Sequence, residues 1–119
     1  MRRIVVGVSG ASGSVYALAA LKALRAVPDV EVHLVLSTQA PHTIGLETDY
    51  TVDDFERLAH VTYADSDLGA AISSGSFVTE GMLVIPCSVK SAAAIAYSLT
   101  TNLLTRAADV CLKERRKLV

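Results

Sequence analysis

IVVGVSGASGS, residues 4–14, decides how the rest of the chain is read. From Arg3 to Val8 the run is continuous and apolar after the arginine, as expected of a strand buried on both faces. It then breaks into glycines and serines. Gly7, Gly10 and Gly13 give a G-x-x-G-x-x-G spacing, close to a dinucleotide fingerprint, which makes NAD the first ligand to consider. Alone, such a loop establishes only that backbone comes close to something.

Working outward, the chain alternates. Ser14 to Ala26 has helical spacing through Leu18, Leu21 and Leu24 and is ended by Val27-Pro28-Asp29. Val30 to Leu36 reads as a second strand and Ala40 to Leu46 as a short helix. Thr51, with Asp54 three residues on, forms a capping-box pattern that opens a helix from Val52 to Ala59. Val61 to Ala64 is a candidate short strand, and Ser73 to Phe77 a loop. Met82 to Ile85 is a further apolar strand closed by Pro86, with helices over Ser88–Ser98 and Asn102–Arg116. This order predicts a single α/β domain over residues 1–119: a flavodoxin-like or Rossmann-like parallel sheet in three layers, with helices on both faces.

Composition narrows the function classes. Eleven Lys and Arg stand against twelve Asp and Glu, with a pI near 6.3. No basic field therefore recruits nucleic acid or an anionic membrane. Two cysteines, Cys87 and Cys111, are too few for a disulfide framework and suggest a reducing cytoplasm. No run approaches the ~18 apolar residues of a membrane helix. The chain is 51% hydrophobic yet only 5% aromatic, carries seventeen alanines and has a mean hydropathy of +0.42. Alanine-rich apolar helices pack against neighbours, so part of the surface is expected to meet another subunit or a further segment. Leu118 and Val119, after KERRK, read as the entry to another strand, so the chain is expected to stop inside a structural element.

In parallel sheets of this kind ligands sit beyond the carboxyl ends of the strands. Three such ends are chemically loaded. Ser9-Gly10-Ala11-Ser12-Gly13 offers backbone N–H groups and two hydroxyls at a helix start, an expected anion site. Ser37-Thr38 follows HLVL. PCSVKS, residues 86–91, opens a helix with hydroxyls and the cation Lys90. A dinucleotide fold would place an acid about 20 residues past the glycines; here that region is HLVLST. The absence disfavours NAD and leaves open an NADP-type site lacking the acid.

VGVSGASGSVY, HLVLS, GLETDY, AAISSGSF, GMLVIPCSVKS and NLLTRAADVCLKERRKLV, in this order, resemble successive blocks of the flavin prenyltransferase (UbiX-type) family, once described as phenylacrylic or aromatic acid decarboxylases. The resemblance implies a flavodoxin-like fold, a homo-oligomer (a dodecamer built from trimers), and FMN as ligand. It implies transfer of a dimethylallyl group from dimethylallyl phosphate to N5 and C6 of reduced FMN, with the prenylated flavin passed to a UbiD-type decarboxylase and no metal required. Matched residue by residue, the family's FMN contacts fall on Gly10, Ala11, Ser12, Ser37, Ser88, Val89, Lys90 and Ser91. Its catalytic serine and glutamate fall on Ser12 and Glu47, and a lysine near the substrate phosphate on Lys113. Family members continue for more than half this length again. That part carries an arginine and a glutamate at the flavin, and a tyrosine and an arginine at the prenyl phosphate.

Each residue also has a plainer reading. The glycines suit close strand–helix packing, Ser12 and Ser88 suit helix caps, and Cys87 suits a small buried hydrophobe. Lys90 at a helix start opposes the dipole, which favours an anion nearby. Glu47, without the resemblance, is a loop carboxylate. Asn102, Arg106, Asp109 and Lys113 share one helical stripe, as a solvated face would, and the helix dipole alone accounts for Arg115, Arg116 and Lys117. His33, His42 and His60 have no ligand spacing, so no metal site is expected. Two alternatives stand beside prenyl transfer: a related flavin-dependent decarboxylase, such as one acting on phosphopantothenoylcysteine, against which PCSVKS in place of a PASAN-like motif argues; and an FMN-binding fragment or subunit without independent catalysis.

Overall fold

The uninterrupted apolar run at the start does become a central strand. A computed structural model describes residues 1–119. β1 (Arg2–Val8) pairs in parallel with β2 (Val30–Leu36) on one side and β4 (Gly81–Val84) on the other. β3 (Val61–Ala64) extends the sheet beyond β2, and the two-residue β5 (Lys117–Leu118) extends it beyond β4. The order is β3-β2-β1-β4-β5, all parallel. The chain moves outward from β1 through β2 to β3, then returns to the opposite side of β1. The crevice at that reversal, between β1 and β4, is where doubly wound sheets bind ligands.

Period-two alternation divides each strand between two cores. Val6, Val8, Val32 and Leu34 face α1 (Ser14–Arg25), α2 (Ala40–Glu47) and α3 (Val52–Leu58), where Leu21, Ile44 and Phe55 are fully buried. Val5, Val35 and Met82 face α5 (Leu103–Lys113), which contributes Leu103, Leu104, Ala107, Ala108 and Cys111. Gly7 makes room for this second layer: a Cβ there would sit 3.0 Å from both Leu104 Cγ and Met82 Cε. Helices thus cover both faces, as the alternation of elements requires.

His33 has a structural task. It is 2% exposed, with Nε2 2.7 Å from Glu31 Oε1 and Nδ1 2.8 Å from the Tyr63 hydroxyl. That hydrogen bond from His33 is the main cause holding the Glu31 carboxyl below the usual range.

The sequence places two helices too far toward their C-termini. α4 spans Val89–Ala96 and α5 ends at Lys113, short of Ser98 and Arg116. Each stops on a non-glycine residue in the left-handed region, Ser98 at φ 57° and Arg115 at φ 56°. The next residues close the ends: Leu99 N–H donates to Ala94 C=O and Arg116 N–H to Cys111 C=O, both at 2.8 Å, the six-to-one bond of a Schellman cap. Glycine is the usual signal for such an end, and neither position has one. Ser73, read as the start of a loop, closes a single 3₁₀ turn over Ala71–Ser73.

No residue of α4 is buried. Val89, Tyr97 and Leu99 beside or on it are 87%, 79% and 57% exposed. On the other side of the sheet, Ile4, Ala20, Ala23, Leu24, Leu83 and Val119 line an apolar groove of about 470 Å³ along β1, β4 and β5. No helix is long and apolar enough to cross a membrane.

Candidate functional site

Two of the three strand ends meet through one buried hydroxyl. Ser9, immediately after β1 and 1% exposed, donates from Oγ to Pro86 C=O at 2.7 Å. The same oxygen accepts the amides of Ser88 at 2.8 Å and Ala11 at 3.3 Å. This ties the β1–α1 loop to the turn that opens α4. Ser9 is therefore a fastener of the site, and its hydroxyl is not among the groups offered to a ligand. At the other flank Thr43 of α2 donates to Gly10 C=O at 2.6 Å. Gly10 is pressed against the start of α2, where a Cβ would fall 2.5 Å from Gln39 Cβ and 3.1 Å from its carbonyl carbon.

Between these loops lies a polar cavity of about 380 Å³. Six of the residues singled out from the sequence line it: Gly10, Ala11, Ser37, Ser88, Lys90 and Ser91. Ser88 is the N-cap of α4, accepting Ser91 N–H at 3.1 Å and donating to Ser91 Oγ at 2.9 Å. Ser37 differs, because its Oγ is buried and has no hydrogen-bond partner in the chain. A buried hydroxyl without a partner is costly, and this one sits on the wall of a cavity. Together with Lys90, the strand-end backbone and the first turn of α4, it makes a donor set suited to phosphate. The residues present thus fit a phosphorylated ligand.

Ser12 and Glu47 form a second group at the loop's far side. The Ser12 hydroxyl donates to Glu47 Oε2, and Glu47 Oε1 accepts the amides of Gly13 at 2.9 Å and Ser14 at 3.1 Å. Gly13, the N-cap of α1 at φ 117°, supplies no side-chain cap, so Glu47 from the end of α2 supplies the missing anion. This corrects the expectation of an open anion site at the start of α1: a carboxylate of the chain already fills it. These bonds, the Ser12 hydroxyl first and then the two amides, hold the Glu47 carboxyl below its ordinary range. A depressed folded-state pKa gives a contribution that is complete above the unfolded value, about 4.3, and lost as pH falls through the folded one. Below about pH 4.3 the Gly13 and Ser14 amide proton shifts are accordingly expected to follow a carboxylate titration by NMR. In Glu47→Gln they should stay flat; a titration surviving in that variant would remove Glu47 from this role.

Two of the named residues are placed otherwise. Val89 turns its side chain to solvent, 87% exposed, so it can offer a ligand only backbone. Lys113, expected near the substrate phosphate, does not line this cavity. α5 begins at the cavity with Asn102 and Thr105 and runs away from it, so its last residue stands about 15 Å along the helix. There Lys113 Nζ lies 3.7 Å from Glu114. The helical stripe from Asn102 to Lys113 thus runs from the cavity to the far end of α5.

Thr38, named with Ser37 at the end of β2, lines the cavity too, and so do residues not expected there from the sequence: Gln39, Asp65, Thr101, Asn102 and Thr105. Asn102 carried a readable signal, since Asn102 and Thr105 form a capping box. Asp65 carried none. Its side chain accepts Leu104 N–H at 2.9 Å across 39 residues of sequence. Cys87 remains a thiol, its pKa raised by desolvation. No three His, Cys, Asp or Glu side chains converge as a metal site would require.

Comparison with known proteins follows the same lines. A family model described as Flavoprotein matches residues 1–119. The flavin prenyltransferase UbiX of Escherichia coli (strain K12) is 53% identical over 119 residues, covering 100% of this chain and 63% of that protein. The crystal structure of a dodecameric FMN-dependent UbiX-like decarboxylase from Escherichia coli O157:H7 superposes with a TM-score of 0.96 at 50% identity, over 98% of this chain and 63% of that one. That of AnUbiX (PadA1) in complex with FMN and dimethylallyl pyrophosphate gives 0.96 at 47% identity, over 98% and 62%. The chain thus spans less than two thirds of the relatives it matches.

Proposed function

The chain belongs to the Flavoprotein family, and from that premise we propose that it is the flavin-binding part of a flavin prenyltransferase, which binds FMN in the polar cavity at the strand ends. The observation that carries this reading is Ser37 Oγ, buried and unpartnered on the cavity wall. The 53% identity to a flavin prenyltransferase supports the reaction class. The reaction joins the dimethylallyl group of a dimethylallyl phosphate ester to N5 and C6 of reduced FMN, breaking its carbon–oxygen bond to phosphate and releasing the phosphate. A UbiD-type decarboxylase is the proposed recipient of the product, and a homo-oligomer the proposed assembly.

FMN would supply a nucleophilic reduced ring when bound; the residues of this chain would hold and orient it. Gly10, Ala11, Ser37, Ser88, Lys90 and Ser91 hold the cofactor, with Val89 contributing backbone. Lys90, at a helix start where a cation is otherwise disfavoured, balances an anion. Glu47, ionised at neutral pH, accepts the Ser12 hydroxyl proton at Oε2. Ser12 Oγ can therefore take a proton on its free lone pair while passing its own to Glu47, which makes the pair a general base at the flavin edge.

The test is calorimetric titration of the 119-residue chain with FMN, with NADP as the control. Saturable FMN binding is expected. Anaerobic incubation with reduced FMN and dimethylallyl phosphate or pyrophosphate should then give a flavin heavier by one dimethylallyl unit. Binding of NADP alone would sink the flavin reading. FMN binding without transfer would favour the second reading, a flavin-binding part without independent catalysis, to which the uncovered apolar groove along β4 and β5 also points. Release of carbon dioxide from a carboxylate substrate would favour a decarboxylase.

A further inference from the structure

Among the cavity's donors stands a single carboxylate, Asp65. It directly follows β3 and is 9% exposed. Two bonds fasten α5 to it: its backbone carbonyl accepts Leu103 N–H at 2.8 Å, and its Oδ1 accepts Leu104 N–H at 2.9 Å. It has no ion-pair partner.

Strand order sets out the groups that face it. Across the mouth of the sheet come Asp65 after β3, Ser37 and Thr38 after β2, Gly10 and Ala11 after β1, and Ser88 to Ser91 after β4. Lys90, the only other charged side chain lining the cavity, belongs to the β4 end, three strand intervals of about 4.8 Å away. From α5 come Asn102 and Thr105, both uncharged. Asp67, on the same turn as Asp65, is exposed and occupied with Gly69 N–H at 3.2 Å. Nothing charged therefore compensates Asp65 at its own end of the cavity. Desolvation already raises its pKa, against the opposing pull of the Leu104 and Thr38 amides. A second anion in the same low-dielectric space acts in the same direction as the desolvation.

We propose that Asp65 makes anion binding in this cavity proton-coupled: a phosphate monoester enters with uptake of a proton by the Asp65 carboxylate. The proton comes from solvent and adds to a carboxylate oxygen; no other bond forms or breaks. The neutral side chain still accepts the Leu104 amide, so the start of α5 stays in place while the repulsion is removed. This inference rests on the proposed flavin phosphate as occupant.

Asp65→Asn is the test, because asparagine keeps the acceptor for Leu104 N–H and removes the charge. FMN, riboflavin and inorganic phosphate are titrated into both proteins at pH 8 and at lower pH through the range where Asp65 titrates; the titration of the FMN phosphate itself is common to both. At pH 8 the variant is expected to bind FMN about tenfold more tightly than the unaltered chain, the equivalent of one pKa unit of coupling. The two affinities should draw together as the pH is lowered from 8 through the titration of Asp65, and riboflavin, which lacks the phosphate, should not distinguish the proteins. Equal FMN affinities at pH 8 overturn the proposal. So does weaker binding by the variant, which would make Asp65 an acceptor for a ligand hydroxyl. If the variant does not fold, calorimetry of the unaltered chain in two buffers of different ionisation enthalpy, repeated as the pH is lowered from 8 through the range where Asp65 titrates, reads the proton directly; uptake in that range supports the proposal and its absence throughout overturns it. If the unaltered chain binds no FMN, the flavin reading fails separately. Inorganic phosphate then decides on Asp65, with binding gained in Asp65→Asn supporting it and none overturning it.

Discussion

Replacing Gly10 with alanine is expected to lower FMN affinity at least tenfold and to destabilise the fold by about 1–3 kcal/mol, the range for overpacking a filled site. The added Cβ would lie 2.5 Å from Gln39 Cβ and 3.1 Å from the Gln39 carbonyl carbon. Neither atom is the end of a flexible side chain. Gln39 is the N-cap of α2, so relief requires the β1–α1 loop and the start of α2 to separate. That separation parts Ala11 from Ser37, two walls of the cavity, and stretches the Thr43-to-Gly10 bond. Thermal unfolding and FMN titration of the same sample measure both effects. Gly45 in α2 is the control, because a Cβ there meets nothing within 4 Å and alanine should stabilise the helix by roughly 0.5–1 kcal/mol. Unaltered FMN affinity in Gly10→Ala would mean that the ligand does not use this cradle.

The second large effect concerns stability alone. Phe55→Ala is expected to cost about 3–5 kcal/mol, lowering the melting temperature by roughly 12–20 °C. Phe55 is the only buried residue of the seven-residue α3 and is fully enclosed in the cluster containing Leu18, Leu21, Leu34 and Ile44. The helix itself is set up locally, since Thr51 Oγ1 accepts Asp54 N–H at 3.2 Å and Asp54 Oδ2 accepts Thr51 N–H at 2.9 Å. A capping box can start a helix but cannot dock one; α3 docks mainly through the Phe55 ring, with Leu58 and the C-cap Ala59 packed against the same cluster. A loss below about 1 kcal/mol, within the range of a cap, would show that α3 is held by its ends and not by its anchor.

These two substitutions mark what each level of description could reveal. Strands β1 and β4 were legible because burial on both faces requires continuous apolar runs such as IVVGV and MLVI, and β2 because VEVHLVL alternates. Gly10 stood out in the opening stretch, yet its task is set by Gln39, twenty-nine residues on, and not by the spacing of a fingerprint. The Thr51–Asp54 box was legible for the opposite reason, being closed within three residues. The C-terminal ends of α4 and α5 were not legible, because Ser98 and Arg115 take the left-handed conformation that glycine usually announces.

By itself the sequence determined a parallel α/β sheet and three strand ends rich in hydroxyls and amides, because periodicity and caps are local and every residue reports its own environment. Tertiary structure alone decided how those ends divide. Ser9 became a buried fastener through a bond spanning 79 residues. Glu47 reached back 34 and 33 residues to the Gly13 and Ser14 amides at the start of α1, and Asp65 entered the cavity. Lys113 was carried to the far end of α5, away from the residues with which it had been grouped. The physical reason is that the order β3-β2-β1-β4-β5 sets which strand ends are neighbours, and a helix axis sets which of its residues stay near them.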